Sequence, residues 1–217
     1  NPAMKMSRDL HVAFAKKLNI KGKVLDGLAA SGIRGIRLAL EADLNVDFCD
    51  TSQLATKTIV ENLKLNGIVA EVYNEPVEEL LKRMKYDCID IDPFGTPAPF
   101  LEAAIKGLND NGILGVSATD TAVLCGAKPS ICMKRYGATS MKKVAAKEIG
   151  VRIVLSKIHS IASKIGKGIQ PLLCYSEGHH LRVFIRLTKK SNVKMKWINT
   201  NMEIMEKEEK NAGGPLW

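Results

Sequence analysis

The sequence predicts an α/β fold with a mainly parallel seven-stranded sheet closed by an antiparallel hairpin. Three observations carry this. Apolar strand-like runs alternate with segments of helical period as far as residue 165, the pattern of parallel strands joined by crossover helices. Only Ser176-Glu177-Gly178-His179-His180 separates the last two runs, too little for a crossover, so they pair as a hairpin. Acidic residues close several of the parallel strands, at Asp26, Asp50 and Asp92, which is the edge where open α/β sheets bind ligands.

Taken in order, residues 23–26 form the first strand, and a helix follows over about 33–41. The second strand covers 46–50. Ser52 then caps a helix with Ala55, Ile59 and Leu63 spaced by four. Residues 70–74 and 86–92 are the third and fourth strands. After Pro99 a helix places Leu101, Ala104, Ile105 and Leu108 on one face, and 112–119 is the fifth strand. A long helix covers roughly 141–165, with Ile149, Ile153, Ile158, Ile161 and Ile165 near one stripe. Strands at 170–175 and 181–188 complete a sheet that resembles the class I S-adenosylmethionine (SAM)-dependent methyltransferase fold, a Rossmann-like arrangement. Residues 1–190 are expected to form this domain. Residues 191–217 turn polar and charged and are expected to be a linker and the start of a second, C-terminal domain, continuing beyond Gly213-Gly214-Pro215-Leu216-Trp217.

A hydrophobic content of 46% excludes a disordered chain, and the net charge of +9 favours an anionic partner, nucleic acid first. The five cysteines (49, 88, 125, 132, 174) form no CxxC pair. They read as reduced core thiols of a cytoplasmic protein, with no metal site. No apolar run approaches the roughly 20 residues of a membrane span.

The chemistry concentrates in Asp92-Pro93-Phe94-Gly95. Asp92 and the Pro93 carbonyl can accept the two hydrogens of an exocyclic amine while Phe94 stacks on the ring that bears it. An ordinary Asp-Pro turn is the other reading. The first strand ends in Asp26-Gly27-Leu28-Ala29-Ala30-Ser31-Gly32-Ile33-Arg34-Gly35. This lacks the spacing of a nicotinamide fingerprint. It suits a zwitterion such as the methionine end of SAM, with Asp26 on the ammonium and loop amides or an arginine on the carboxylate; it also suits a plain strand–helix turn. Asp50 stands where a ribose is gripped through its hydroxyls. The third strand ends in Asn74-Glu75-Pro76-Val77-Glu78. Methyltransferases commonly hold adenine here with an Asp, which is missing; Val77 retains an amide, and Glu75 or Glu78 can replace the carboxylate.

With these motifs in order, the chain resembles the tRNA (guanine-N2)-dimethyltransferase family, whose members typically methylate guanine 26 of tRNA. The matching segments are Asn1-Pro2-x-Met4-x-x-x-Arg8-Asp9-Leu10, Ala30-Ser31-Gly32-Ile33-Arg34-Gly35-Ile36-Arg37, Asn62-Leu63-Lys64-Leu65-Asn66-Gly67 and Ile89-Asp90-Ile91-Asp92-Pro93-Phe94-Gly95-Thr96-Pro97. They continue through Ala118-Thr119-Asp120-Thr121-Ala122-Val123-Leu124-Cys125-Gly126, Arg135-Tyr136-Gly137-Ala138 and Arg182-Val183-Phe184 to Gly214-Pro215-Leu216-Trp217. The resemblance implies that Arg8 and Arg34 bind the methionine end of SAM, in the loop that includes Gly32. It implies that Asp50 holds the ribose and that Pro76 and Val77 border the adenine. Asp92, Pro93 and Phe94 would receive the guanine, with Asp120 facing the same pocket. Arg37, Lys128, Lys134 and Arg135 are candidate phosphate contacts as a group, while any single one of them reads first as a solvated surface charge. A cytoplasmic monomer acting on tRNA, away from membranes, is the implied setting. The departures are Pro76 in place of the adenine-binding Asp, no aromatic residue before Asn1, and no cysteine in 197–211.

The implied reaction is direct displacement by guanine N2 on the sulfonium methyl, with Asp92 taking the proton. The rival readings are an N-methyltransferase for another amine and a non-catalytic RNA-binding protein that kept the fold.

Overall fold

The computed structural model describes residues 4–142 and 144–189. Its elements run α1 (Lys5–Leu18), β1 (Lys23–Gly27), α2 (Ile33–Ala42), β2 (Asn45–Cys49), α3 (Gln53–Leu65), β3 (Val72–Tyr73), α4 (Val77–Arg83) and β4 (Tyr86–Ile91). They continue α5 (Leu101–Gly107), β5 (Leu108–Ala118), α6 (Thr121–Leu124), α7 (Pro129–Tyr136), α8 (Ala146–Lys164), β6 (Gly168–Glu177) and β7 (His180–Thr188). The seven strands form one sheet in the order β3-β2-β1-β4-β5-β7-β6. Only β7 runs against the others, pairing antiparallel with both β5 and β6. This is the class I methyltransferase sheet expected from the alternation and the hairpin. The strand order reverses between β1 and β4, so a switch point lies beside Asp26 and Asp92.

Alternation along the strands sends buried side chains to two apolar clusters, one on each face. Val24, Val46, Phe48 and Cys88 pack with α1, α2 and α3 on the front face. Leu25, Cys49, Ile89 and Ile91 pack with α4, α5 and α8 on the back. Ser52 caps α3 as expected, its Oγ accepting from the Ala55 amide at 3.3 Å. All five cysteines are unpaired, with Cys49, Cys88 and Cys132 buried.

Several boundaries differ from expectation. The third strand shrinks to two residues. Leu108 leaves the helix face and begins β5, which runs to Ala118, because the helix ends at Gly107, packed against Leu81. The long helix starts at Ala146 instead of 141, and Ile165 lies at its C-cap, exposed. The hairpin loop is only Gly178-His179, with Glu177 opposite His180. Four helices, α1, α4, α6 and α7, were not expected from the sequence. The expected linker and second-domain start at 191–217 lie outside the described residues.

Candidate active site

The site is built where β1, β2, β4 and β5 end. After β1 the chain turns through Leu28 (φ 67°), Ala30 (φ 52°) and Gly32 (φ 73°), three left-handed residues of which two carry side chains. That conformation costs roughly 1–2 kcal/mol for a residue other than glycine. It is held by Leu28 and Ala29 amides on the Cys49 carbonyl, at 2.9 and 3.0 Å. The Ala30 amide donates to Asp50 Oδ2 at 2.9 Å. Asp50 Oδ1 takes the Ser52 amide at 2.8 Å. Asp50 therefore braces the loop from the neighbouring strand and remains part exposed. Gly35, on the first turn of α2, lies against the Phe48 ring, and a Cβ there would collide with it. Its amide donates to Asp26 Oδ2 at 2.8 Å.

Asp26 is buried at the end of β1. Burial and the neighbouring Asp90 charge push its carboxyl up to about 7, partly offset by Arg34 and the Gly35 amide. Arg34 rises from α2 between the two middle strands. Its Nε lies 3.2 Å from Asp90 Oδ2 and its Nη2 donates to Asp92 Oδ2. The Asp90 contact is ionic without hydrogen-bond alignment, and Arg34 Nη1 is buried with no partner. Burial raises the Asp92 carboxyl, but the Arg34 and Arg182 charges and hydrogen bonds from Ser117 and Arg34 outweigh it, so the carboxyl sits below its usual value.

Pro93 is buried, and the Phe94 ring is fully exposed to solvent. The turn is tied to the end of β5: the Gly95 amide donates to Thr119 Oγ1 at 2.7 Å and the Thr119 amide to the Gly95 carbonyl at 2.9 Å. Thr96 Oγ1 meets the Tyr136 hydroxyl at 2.7 Å. That hydroxyl donates to Asp120, 2.9 Å from Oδ1. Arg135 Nη1 also reaches Asp120, at 3.0 Å. Asp120 thus anchors α7 beside the turn, while Lys128, Lys134 and Arg135 stay exposed around it.

The remaining expected residues fall in two places. Arg8 and Arg37 lie on the outer side of the loop, lining a cleft of about 330 Å³ with Ser31, Asn62 and Asn66. Arg37 is paired with Asp9 at 2.6 Å and with Glu41 at 2.5 Å. At the end of β3, Pro76 precedes α4, and the buried Val77 side chain sits against Gly27. Glu75 is clamped by Arg83 through two bonds, at 2.7 and 2.5 Å. Among the described residues Glu78 has no such partner.

Sequence reasoning passed over Asp90, Ser117, His180 and Arg182, all buried behind Asp92. Asp90 was legible: in Ile89-Asp90-Ile91-Asp92 it alternates onto the same face as Asp92. His180 and Arg182 were not, because polar residues alternating in a strand read as a solvent face.

Residues 1–215 match the family model described as N2,N2-dimethylguanosine tRNA methyltransferase. A tRNA (guanine(26)-N(2))-dimethyltransferase of Pyrobaculum arsenaticum is 38% identical over 231 residues, covering 100% of this chain and 65% of the relative. The enzyme of the same name from Thermoplasma acidophilum is 38% identical over 189 residues, covering 87% and 55%. The structure of Trm1 from Pyrococcus horikoshii with S-adenosyl-L-methionine superposes with a TM-score of 0.83 at 36% identity, covering 88% of this chain and 56% of that one. Trm5b from Pyrococcus abyssi shares the fold, with a TM-score of 0.61 at 20% identity. The chain spans between about half and two thirds of the length of these curated relatives.

Proposed function

The chain belongs to the N2,N2-dimethylguanosine tRNA methyltransferase family, and we propose that it transfers one or two methyl groups from SAM to the exocyclic N2 of a guanine in tRNA, position 26 as in its relatives. The observation that carries this reading is Asp92: a charge-stabilised carboxylate at the switch point, followed by a buried proline and a fully exposed aromatic ring.

The residues present fit the methyl donor. Asp26, Asp90 and Asp92 face Arg34 and Arg182, three carboxylates against two guanidiniums, so a cationic ligand is favoured. Arg34 Nη1 is an unused buried donor for a carboxylate, and Asp26 is a buried acceptor for an ammonium. Asp50 stands ready for ribose hydroxyls beside Gly32, with Arg8 nearby. Val77, the first residue of α4, offers an amide that has no partner within the helix, and Pro76 offers none. When bound, SAM supplies an electrophilic methyl on sulfur.

Asp92 and the Pro93 carbonyl accept the amine hydrogens, leaving the nitrogen lone pair free, and Phe94 covers the base. Asp92 then takes the proton that the methylated nitrogen sheds. Guanine leaves its stack to reach this point, at a cost of a few kcal/mol. Lys128, Lys134 and Arg135 around the turn and the +9 charge offset that cost through phosphate contacts. The reading extends to a monomer in the cytoplasm, in keeping with five unpaired thiols, and to residues 191–217 leading into an RNA-recognition domain. Among the described residues no helix is long and apolar enough to cross a membrane.

The test is transfer of labelled methyl from SAM to an unmodified tRNA transcript by wild type and Asp92→Ala, with nucleosides read by mass spectrometry. N2-methylated guanosine that disappears in the variant is the expected result. Cofactor binding without any RNA methylation would overturn the assignment.

A further inference from the structure

Behind Asp92 lies an ion network that the proposed chemistry does not itself require. Asp90 gives one oxygen to each of two guanidiniums. Oδ2 faces Arg34 Nε at 3.2 Å, and Oδ1 accepts from Arg182 Nη2. Arg182 is fully buried on β7, two strands away from Asp90 on β4. The pair crosses β5 at Gly115, which lies opposite Asp90 on one side and Phe184 on the other. A Cβ at position 115 would collide with Asp90 Oδ1 and lie 2.9 Å from Arg182 Nη2. The glycine is the gap through which the two charges meet.

The other end of Arg182 donates from Nη1 to Ser117 Oγ at 2.7 Å, and the Arg182 guanidinium stacks 4.6 Å from the Phe184 ring. His11 of α1 covers the network, its Nδ1 3.5 Å from Arg182 Nη2. Burial and the Arg182 and Arg34 charges hold His11 neutral, well below the ordinary histidine range. A buried ion network of this kind gives little net stability compared with apolar packing. Its geometric effect is specific: Arg34, held by Asp90 on one side, donates from Nη2 to Asp92 Oδ2 on the other, while Ser117 holds the far end of Arg182.

We infer that Asp90 and Arg182 are positioning residues for Asp92: Arg182, anchored on Ser117, fixes Asp90, and Asp90 fixes the Arg34 guanidinium that holds the Asp92 carboxylate in one orientation for the incoming amine. The inference rests on the methyl-transfer reading above. The lowered Asp92 carboxyl agrees with it, since Arg34, Arg182 and Ser117 are its three stabilising partners. The other titratable groups facing this cluster are Asp26 from β1, Cys88 from β4, His11 from α1, Tyr175 from β6 and His180 from β7. His180 is held at about 4, chiefly by burial.

The test uses the full chain with Ser117→Ala and Gly115→Ala, and follows Asp92 by carboxyl 13C NMR, assigned by its loss in Asp92→Asn. In both variants the Asp92 midpoint moves up. kcat for methyl transfer falls about tenfold, while the SAM Kd stays within about twofold. Gly115→Ala reproduces the effect of Ser117→Ala without removing any polar group, by pushing Asp90 and Arg182 apart. An unchanged Asp92 midpoint in both variants would overturn the inference, as would a wild-type kcat alongside a shifted midpoint. Wild-type protein that methylates no RNA would overturn the functional reading by itself, because the midpoint is measured independently of turnover.

Discussion

The two ends of the parallel strands carry the same residue types to opposite effect. At the amino end, Asp87 has both oxygens occupied, by the Lys23 amide and Asn109 Nδ2, each at 2.8 Å. The neighbouring Asp47 accepts the Tyr86 hydroxyl at 2.9 Å and pairs with Lys23 Nζ at 2.7 Å. At the carboxyl end, Asp26, Asp90 and Asp92 crowd two guanidiniums, leaving Arg34 Nη1, Arg182 Nε and His180 Nδ1 without partners. The aromatic ring beside them faces solvent. A saturated cluster holds strands together, whereas an unsaturated one with strained backbone and unused donors is arranged for something it does not yet contain.

The largest effect that would break this contrast is at Asp92. Asp92→Ala should lower methyl transfer by at least about a hundredfold, with little change in thermal midpoint; a large loss of stability instead would make the carboxyl end structural too. Asp47→Ala should do the reverse. It should cost about 2 kcal/mol in denaturant unfolding by leaving the buried Tyr86 hydroxyl unpaired, with an unaltered SAM Kd. Asp26 sharpens the contrast through pH. Its folded-state value of about 7 lies above the ordinary 3.8. Its contribution to stability is therefore fully present below about pH 4 and is lost as pH rises through about 7. Affinity for SAM should rise over that same upper range, as the ionised carboxylate becomes available to the ammonium. In Asp26→Asn, calorimetric titration between pH 6 and 8 should show that slope flattened. The smallest effect is at the strained loop. Ala30→Gly should stabilise the protein by about 1 kcal/mol, read as a raised unfolding midpoint, because glycine adopts positive φ without penalty.

Much of this arrangement was legible in the sequence, and the reasons for the rest are physical. Asp26, Asp50 and Asp92 could be placed because each ends an apolar run that reads as a strand on its own. α1 was missed although Met6, Leu10, Phe14 and Leu18 recur every four residues; the face it buries also carries Ser7 and His11, which turn inward to meet Tyr175 and Arg182, and that pairing could not be read from the sequence. α4 is too short to show an apolar period. Arg182 resembles any outward-facing strand residue until Asp90, 92 positions earlier, is folded next to it. Arg37 carries the charge of a phosphate contact, but Asp9 lies beside it only because α1 packs on α2.

The gap at Gly115 has a consequence for how this sequence can change over time. An acid on β4, a glycine on β5 and an arginine on β7 satisfy one another, and none can be exchanged alone. Any larger residue at 115 separates the charges, and loss of either charge strands the other in the interior. Drift that repaints the helices freely should leave this trio fixed, or replace it in concert with an apolar set. A family tree should therefore show the three positions inherited as a single character.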